Sequence, residues 1–463
     1  MTGTFASFNT ALSAIRHQRT VMDTASTNIA NVDTPGYVRR RAEAASLGGA
    51  TEVAMWSRDT SAGHGVVTAG ITRMSEPLLD ARSRREHGRS AYLDTRLEVL
   101  KRVESGTGEP GDDGVAAAMS EFNKAWQDLE NHPQVGGASR EQVLAVGQGL
   151  ADAIRAQATN ITSEQSDQRG RMIDLVTEVN ATAKDLAAVN QRLAQAASFG
   201  LADNDLQDQR DVLALRLSEL TGGVTTPRSD GGLDVTVGGE PLVSGLTANQ
   251  LTITGGIAAD GSADGNPLTF AVAGNAVTPG SFGGEVGAVG ELLTTSLPGL
   301  LGQLDAVAKT LADAVNAQHA AGYDANGVAG TPFFSYDPAV GAASSLQVAI
   351  TDPKLIAASS IASPTGNEQG SNAGKLGELV GAKEAYGRLI NGLATEISSA
   401  TRLSTTQNLL TSQVDGSREA LTGVNFDEET VNLVAAQRAY EAAARVMSTM
   451  DDVLDTLINR MAI

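Results

Sequence analysis

The stretch Asn425–Ile463, NFDEETVNLVAAQRAYEAAARVMSTMDDVLDTLINRMAI, spaces Leu433, Tyr440, Met447, Leu454 and Met461 by sevens. Ala436, Ala443, Met450 and Leu457 fill the interleaved positions. An unbroken apolar heptad row predicts a long helix with one seam meant for another helix. Its start is marked. Asn425 or Asp427 can cap, and Asp427, Glu428 and Glu429 sit where the helix dipole favours negative charge. With Asp427 as the cap, Phe426 and Val431 would form a hydrophobic staple. At about 1.5 Å per residue the helix runs roughly 50 Å. Such a helix cannot bury its seam alone.

A matching pattern lies at the other end of the chain. Phe8, Ile15, Met22 and Ile29 are again spaced by sevens, with Phe5 and Leu12 between them. Arg19 and Ser26 interrupt the second row, so this seam is weaker. The helix is expected from about Thr4 to Asn31. Thr34-Pro35-Gly36-Tyr37 ends it, because the residue before proline is pushed out of the helical region and Gly36 is free to turn. Pairing the two terminal helices leaves the middle of the chain as an insertion between them.

The 463 residues suffice for about three domains. Without cysteine there are neither disulfides nor thiolate metal sites. Aromatics make up only 4% and glycine 50 residues, which suits thin helix bundles and small sheets. The net charge of −20 argues against nucleic acid and anionic membranes as partners. It is uneven: residues 1–102 carry 14 Lys+Arg against 10 Asp+Glu, leaving −24 for the rest. No basic-then-apolar leader opens the chain and no apolar run approaches spanning length. Export is therefore expected by a route without a cleaved signal peptide, and no membrane insertion is expected.

Between the ends the period changes twice. Arg39–Arg41 reads either as a solvated turn or as a subunit contact with acidic neighbours, and Thr51–Trp56 as a short strand. Arg82, Arg84, Arg85, His87 and Arg89 form a basic cluster beside the helical leucines Leu93, Leu97 and Leu100. No aromatic platform accompanies it, so a solvated or subunit-facing surface is expected. Val115, Met119, Phe122, Trp126 and Leu129 predict a helix ended near Pro133. Met172 to Ala197 keep a 4-3 rhythm within a long helix over 139–198, with Gly147, Gly149 and Gly170 as weak points and Gly200 as C-cap. A further helix is expected over 205–220. Residues 222–290 hold 17 of the 50 glycines and alternate with period two at Leu233–Val237. With Gly238-Gly239 as a hairpin turn, they predict a small antiparallel β domain. Gly222-Gly223 and Gly283-Gly284 are read as flexible joints that make this domain excisable. Helical rhythm returns at Leu300–Leu311 and over 373–414, where Tyr386, Ile390, Leu393, Ile397 and Ala400 share a stripe. The fold class is mainly α with a β insertion. It divides into a terminal coiled coil (1–45 and 425–463), a long-helix bundle (46–221, 291–322 and 373–424) and the β domain (222–290), with 323–372 belonging to either of the last two.

Ser26 to Tyr37, containing Asn28, Ile29, Ala30, Asn31, Thr34, Pro35, Gly36 and Tyr37, resembles the signature of bacterial flagellar rod, hook and hook-associated proteins. Gly423 to Glu429 with Gln437, Ala439 and Tyr440 resembles their C-terminal signature. Three internal motifs resemble the hook-associated proteins of the hook–filament junction. The first is Ser139-Arg140 with Val143-Leu144. The second is Asn204 to Asp211, with Asp205, Leu206, Asp208, Arg210 and Asp211. The third is Gly283-Gly284-Glu285 before a helix, with Asn316 and His319, Gly322-Tyr323-Asp324, Asn326-Gly327 and Phe333-Phe334. Long helices over 139–220 set the chain apart from hook and distal rod proteins, the alternative reading.

The resemblance implies a structural, extracellular component that polymerises through its terminal helices. The seam would be Phe5, Phe8, Leu12, Ile15, Met22, Ile29, Leu433, Tyr440, Met447, Met450, Leu454, Leu457 and Met461. The implied partners are copies of itself, hook protein below, a second junction protein above, an export chaperone on the C-terminal helix, and the flagellar type III export apparatus.

Catalytic constellations are not legible. His17, His64, His87, His132 and His319 are not at metal-ligand spacing. Asp203, Asp205, Asp208 and Asp211 invite calcium but lack the glycine and twelfth-position glutamate of an EF-hand, so they are read as a helix-start network. No cofactor is expected, and an enzyme on a helical scaffold is the distant alternative.

Overall fold

The computed structural model describes residues 2–47, 65–363 and 366–456. The strand expected over 51–56 lies outside them, as do Leu457 and Met461. The chain opens with α1 (Thr2–Ala30), the hairpin β1 (Arg40–Ser46) and β2 (Val66–Arg73), and α2 (Pro77–Ser105). Helices α3 (Val115–Asn131), α4 (Ala138–Ser198) and α5 (Asn204–Thr221) follow. Next come β3 (Val224–Pro227), β4 (Leu233–Val237), β5 (Glu240–Ser244), β6 (Thr247–Ala248), β7 (Leu251–Gly255), β8 (Thr269–Val272) and β9 (Asn275–Val277). The return path runs through α6 (Gly284–Glu291), α7 (Leu297–Ala320), β10 (Phe334–Ser335), α8 (Ala342–Ser345), β11 (Gln347–Val348) and α9 (Ser371–Gly377). It ends with α10 (Gly381–Thr422) and α11 (Phe426–Asp455). The nested plan is direct: α1 packs on α11, and α2 on α10.

Helix α4 is the spine. Its 61 residues run unbroken, about 90 Å. Gly147 is not a weak point, because a Cβ there would lie 3.0 Å from the Phe333 ring and 3.2 Å from that of Phe122. Gly200 has φ +68° and Leu201 N–H donates to Ala196 O, the C-terminal cap expected of it.

Two cores sit on the two halves of α4. The first gathers Phe122 and Trp126 of α3, Leu150 and Ile154 of α4, Leu304 of α7, and Tyr386 and Leu393 of α10. The segment around Phe333, Phe334, Leu346 and Ile356 joins this core, which places it with the helices rather than the sheets. The second core packs Met172, Val179 and Leu186 of α4 and Leu217 and Leu220 of α5 against Val235, Leu242, Leu251, Phe270 and Val272 of the strands. The strands form two antiparallel sheets, ordered β3-β4-β5-β6 and β7-β8-β9. Gly238 (φ +60°) and Gly239 (φ +89°) make the left-handed pair that the β4–β5 turn requires.

The glycine pairs flanking the sheets are not loose joints. A Cβ on Gly222 would lie 2.6 Å from the Gly283 Cα, and Gly283 N–H donates to Thr221 O at 2.9 Å. A Cβ on Gly88 of α2 would lie 2.5 Å from Ser218 O. Glycine is needed here because α2, α5 and α6 cross at backbone contact.

Candidate assembly interface

The terminal helices run antiparallel, the end of α1 lying against the start of α11. Along their length Phe8, Leu12, Ile15, Met22, Ile29, Leu433, Tyr440, Met447, Met450 and Leu454 are all half-buried, and Phe5 lies on the same helix. Among the described residues, the hydrophobic residues buried in this pair are Ala11, Ala25 and Ala436. On α1 the most covered face is Ala11, His17, Thr24, Ala25 and Asn28 rather than the heptad row. It carries contacts to the β1–β2 hairpin, where His17 Nδ1 and Thr68 Oγ1 are 2.9 Å apart. A groove of about 740 Å³ remains between α1, β1 and α11, bordered by Arg41, Ala435 and Ala439.

Where the coil meets the rest of the chain, polar side chains interlock. Asn28 is 1% exposed. Its Nδ2 donates to Arg40 O and to Glu429 Oε2, both at 2.9 Å. Its Oδ1 accepts from Tyr37 Oη at 2.8 Å and from the Arg40 amide at 3.0 Å. Arg39 pairs with Glu429 at 2.6 Å and Glu428 at 3.0 Å. Arg40 lies over the Tyr37 ring and pairs with Asp205 and with Asp208 at 3.1 Å. Arg73 of β2 pairs with Asp208 and Asp211, each at 2.8 Å. Gly36 is obligatory, since a Cβ there would collide with Val212 of α5.

Arg39 and Arg40 therefore face acidic partners of their own chain, not solvent. The acidic run serves these arginines and the helix start, where Asp203 Oδ1 accepts from Leu206 N–H at 3.1 Å. Among the described residues no His/Cys/Asp/Glu group could hold a metal ion. Burial raises the Asp208 carboxyl despite Arg73 and Arg40, and burial likewise raises the Tyr37 hydroxyl. The cap of α11 is Asn425, whose Oδ1 accepts from the amides of Asp427 and Glu428. The staple does not form: Phe426 is 57% and Val431 67% exposed. With Asn425 as the cap, those two side chains fall on the outer face.

The flagellar hook-associated protein FlgK helical-domain model matches residues 100–334, half of the chain. The chain belongs to the FlgK family of flagellar hook-associated proteins. Basal body rod models match both ends, the flagella basal body rod protein model over residues 8–37 and the flagellar basal body rod FlgEFG protein C-terminal model over 420–461. Flagellar hook-associated protein 1 of Bacillus subtilis is 28% identical over all of this chain and 99% of its own. That of Escherichia coli is 24% identical over 97% of this chain and 99% of its own. The alignments span 510 and 556 positions, longer than these 463 residues. The solved FlgK hook junction protein of Burkholderia pseudomallei shares the fold, with TM-score 0.64 at 18% identity over 73% of this chain and 99% of that one. As a FlgK family member the chain is a structural component of the flagellum, extracellular at the hook–filament junction, and not an enzyme. Membership implies assembly into the flagellum. No helix among the described residues is long and apolar enough to cross a membrane.

The motifs at Asn28–Tyr37 and Asp205–Asp211, far apart in sequence, meet in one polar hub. Glu429 and Arg73 complete that hub, and reading the sequence did not single out either role. Glu429 lies in the C-terminal motif and at a helix start, and Arg73 in an alternating stretch, which mark the positions but not their partners. The basic cluster lies on α2 itself: Arg84 is buried and lowered by that burial, while Arg82, Arg85 and Arg89 are exposed.

Proposed function

We propose that the chain builds the hook–filament junction by packing its α1–α11 coil against the coils of further copies, as the inner wall of a tube. The observation carrying this is the half-buried seam. Fully burying a Leu, Ile, Phe or Met contributes about 1.5–3 kcal/mol, and a two-helix coil leaves much of that unrealised at ten large side chains. Neighbouring coils are the apolar surface that would realise it. Residues 1–45 and 425–463 are the tube segment, and the helical and sheet regions project outward to lateral neighbours. Hook protein lies below the layer and a second junction protein above. Before assembly an exposed seam invites association, so an export chaperone covers α11 while the type III apparatus exports the unfolded chain.

The double substitution Met447→Asp with Leu454→Asp tests this. Two unpaired charges in a shared seam cost several kcal/mol of association (roughly 3–5 each where burial is complete). The expected result is a folded, exported chain with filament subunits lost to the medium. Normal swimming on filaments of normal length would overturn the proposal.

A further inference from the structure

Two surface features remain that the terminal coil does not use. The turn between α4 and α5 thrusts out Phe199, 79% exposed, and Leu201, 65% exposed. Acidic residues follow at once, Asp203 and Asp205, and the Asp205 side chain is 83% exposed. At the other end of α5 lies a pocket of about 360 Å³, walled by Gly88 and Tyr92 of α2, the Gly222–Val224 backbone and Gly283-Gly284. The close crossing of α2, α5 and α6 forces glycine at Gly88, Gly222 and Gly284, and Ala81, Arg84, Val224 and Thr225 complete the lining of the concavity. Its rim carries Arg85, whose side chain is 70% exposed, and exposed Arg89. Among the described residues Arg85 pairs with its chain neighbour Glu86.

We propose that Phe199 and Leu201 of one copy seat in the glycine-walled pocket of the next, with the acidic turn against the Arg85–Arg89 rim. This rests on the self-assembly reading above and names its lateral contact. Knob and pocket match in character: an exposed aromatic and a leucine for an apolar concavity, and a turn bearing the exposed Asp205, which also pairs with Arg40, for a rim of exposed arginines. A second copy supplies both halves. They cannot meet within one chain, because the 18 residues of α5 separate them, about 27 Å of helix. Different patches joining copy to copy make a heterologous contact, which propagates into a ring or a helical layer rather than closing as a dimer.

The absence of cysteine makes the test clean. In a strain lacking its own copy, the full chain carrying Leu201→Cys and Arg89→Cys is expressed and its sheared flagella are oxidised. A ladder of cross-linked dimers and larger species is expected, with monomers from either single substitution. Coexpressing the two single variants should give dimers only. Monomers alone from flagella that bear filaments would overturn the proposal while leaving the coil reading intact. Phe199→Asp provides a second measurement. It alters an exposed position, so the thermal unfolding midpoint should match the unsubstituted chain while filament number falls at least tenfold. Filaments at normal number in this variant would also overturn it. An unsubstituted chain that restores no filaments would overturn both readings.

Discussion

Asn28 shows how one side chain holds distant segments. It fills four hydrogen bonds at a buried site, one of them to Glu429, 401 residues away. Asn28→Ala orphans the Arg40 amide and one bond of the Glu429 carboxylate, at about 1–3 kcal/mol for each buried group left unpaired. Amide exchange over 37–41 and at the start of α11 should accelerate at least tenfold, whereas Thr34→Ala, at an exposed position, should change little. Equal protection in both variants would remove Asn28 from the hub. His319 makes a second residue-level case. Its Nδ1–H donates to Thr331 O at 2.6 Å and its Nε2 accepts from the Ala357 amide at 2.9 Å, which fixes the neutral ring. Burial holds its pKa down at about 4. The unfolded chain, with histidine near 6.5, binds the proton more readily. Stability from this group is therefore full above about pH 6.5 and lost as pH falls toward 4, about 3 kcal/mol in all. His319→Gln should flatten unfolding free energy against pH in that window; an unchanged slope would show that another group sets it. The sequence singles out the Asn28 and His319 motifs by resemblance but not their work, since their partners come from other segments that no local period reports.

Helices were the most legible elements, because a period sustained over many turns reports a buried face directly. Helices α1, α4 and α5 lie within a few residues of their expected spans, and α11 starts where expected, the end of its expected span lying outside the described residues. Glycines were the least legible. Freedom to bend and freedom to approach use the same missing side chain, and only the crossing of α2, α5 and α6 shows that approach is what these sites need. The α2–α10 pair was not legible either, since polar contacts hold its outer half: Asp80–Arg418, Glu86–Gln407 and Asp94–Ser404. His87 joins this pair to α5, with Nε2 2.9 Å from Asp415 and Nδ1 3.4 Å from Glu219. The Glu219 contact, followed by Asp415, raises His87, and the His87 contact lowers Glu219. The histidine contribution is full below about pH 6.5 and lost as pH rises through its raised value. The Glu219 contribution is present above the ordinary carboxylate range and lost as pH falls through its lowered value. The tie between the three helices is thus strongest in mildly acidic solution. His87→Ala should slow amide exchange nowhere and speed it in α10 near Asp415 more at pH 6 than at pH 8; a pH-independent effect would mean the imidazole acts by packing alone. In α11, isolated from further copies, the half-buried seam leaves little to hold the helix. Exchange protection over 431–454 should therefore fall well below that of α4 in the monomer, and protection equal to α4 at micromolar concentration would contradict this.

At the scale of the whole molecule, the two cores on α4 decide what can be removed. Reading the sequence, a glycine-rich β segment between glycine pairs looks excisable, because composition marks its borders and says nothing of what lies beneath. In the fold, Val235, Val237, Leu242, Val243, Leu251, Phe270 and Val272 form one cluster with Met172, Val179, Ala183, Leu186, Leu217 and Leu220. Replacing 223–283 with a short Gly/Ser linker removes all of the former group. Joining the ends is not the obstacle, since Thr221 O and Gly283 N are already 2.9 Å apart and closure cost varies slowly with loop length. The loss is the apolar cover of α4 beyond about residue 165 and of α5. At about 1.5–3 kcal/mol for each large side chain uncovered, it exceeds the roughly 5–15 kcal/mol that holds a domain folded. The first core keeps Trp126, Phe333, Tyr386 and their neighbours, none of which contacts the sheets through the second cluster. Circular dichroism of the deletion protein should therefore show helix lost from about 165–221, with one cooperative transition remaining for the bundle around Trp126. Full retention of helix with the original midpoint would show that the sheets are peripheral and that α4 stands without them.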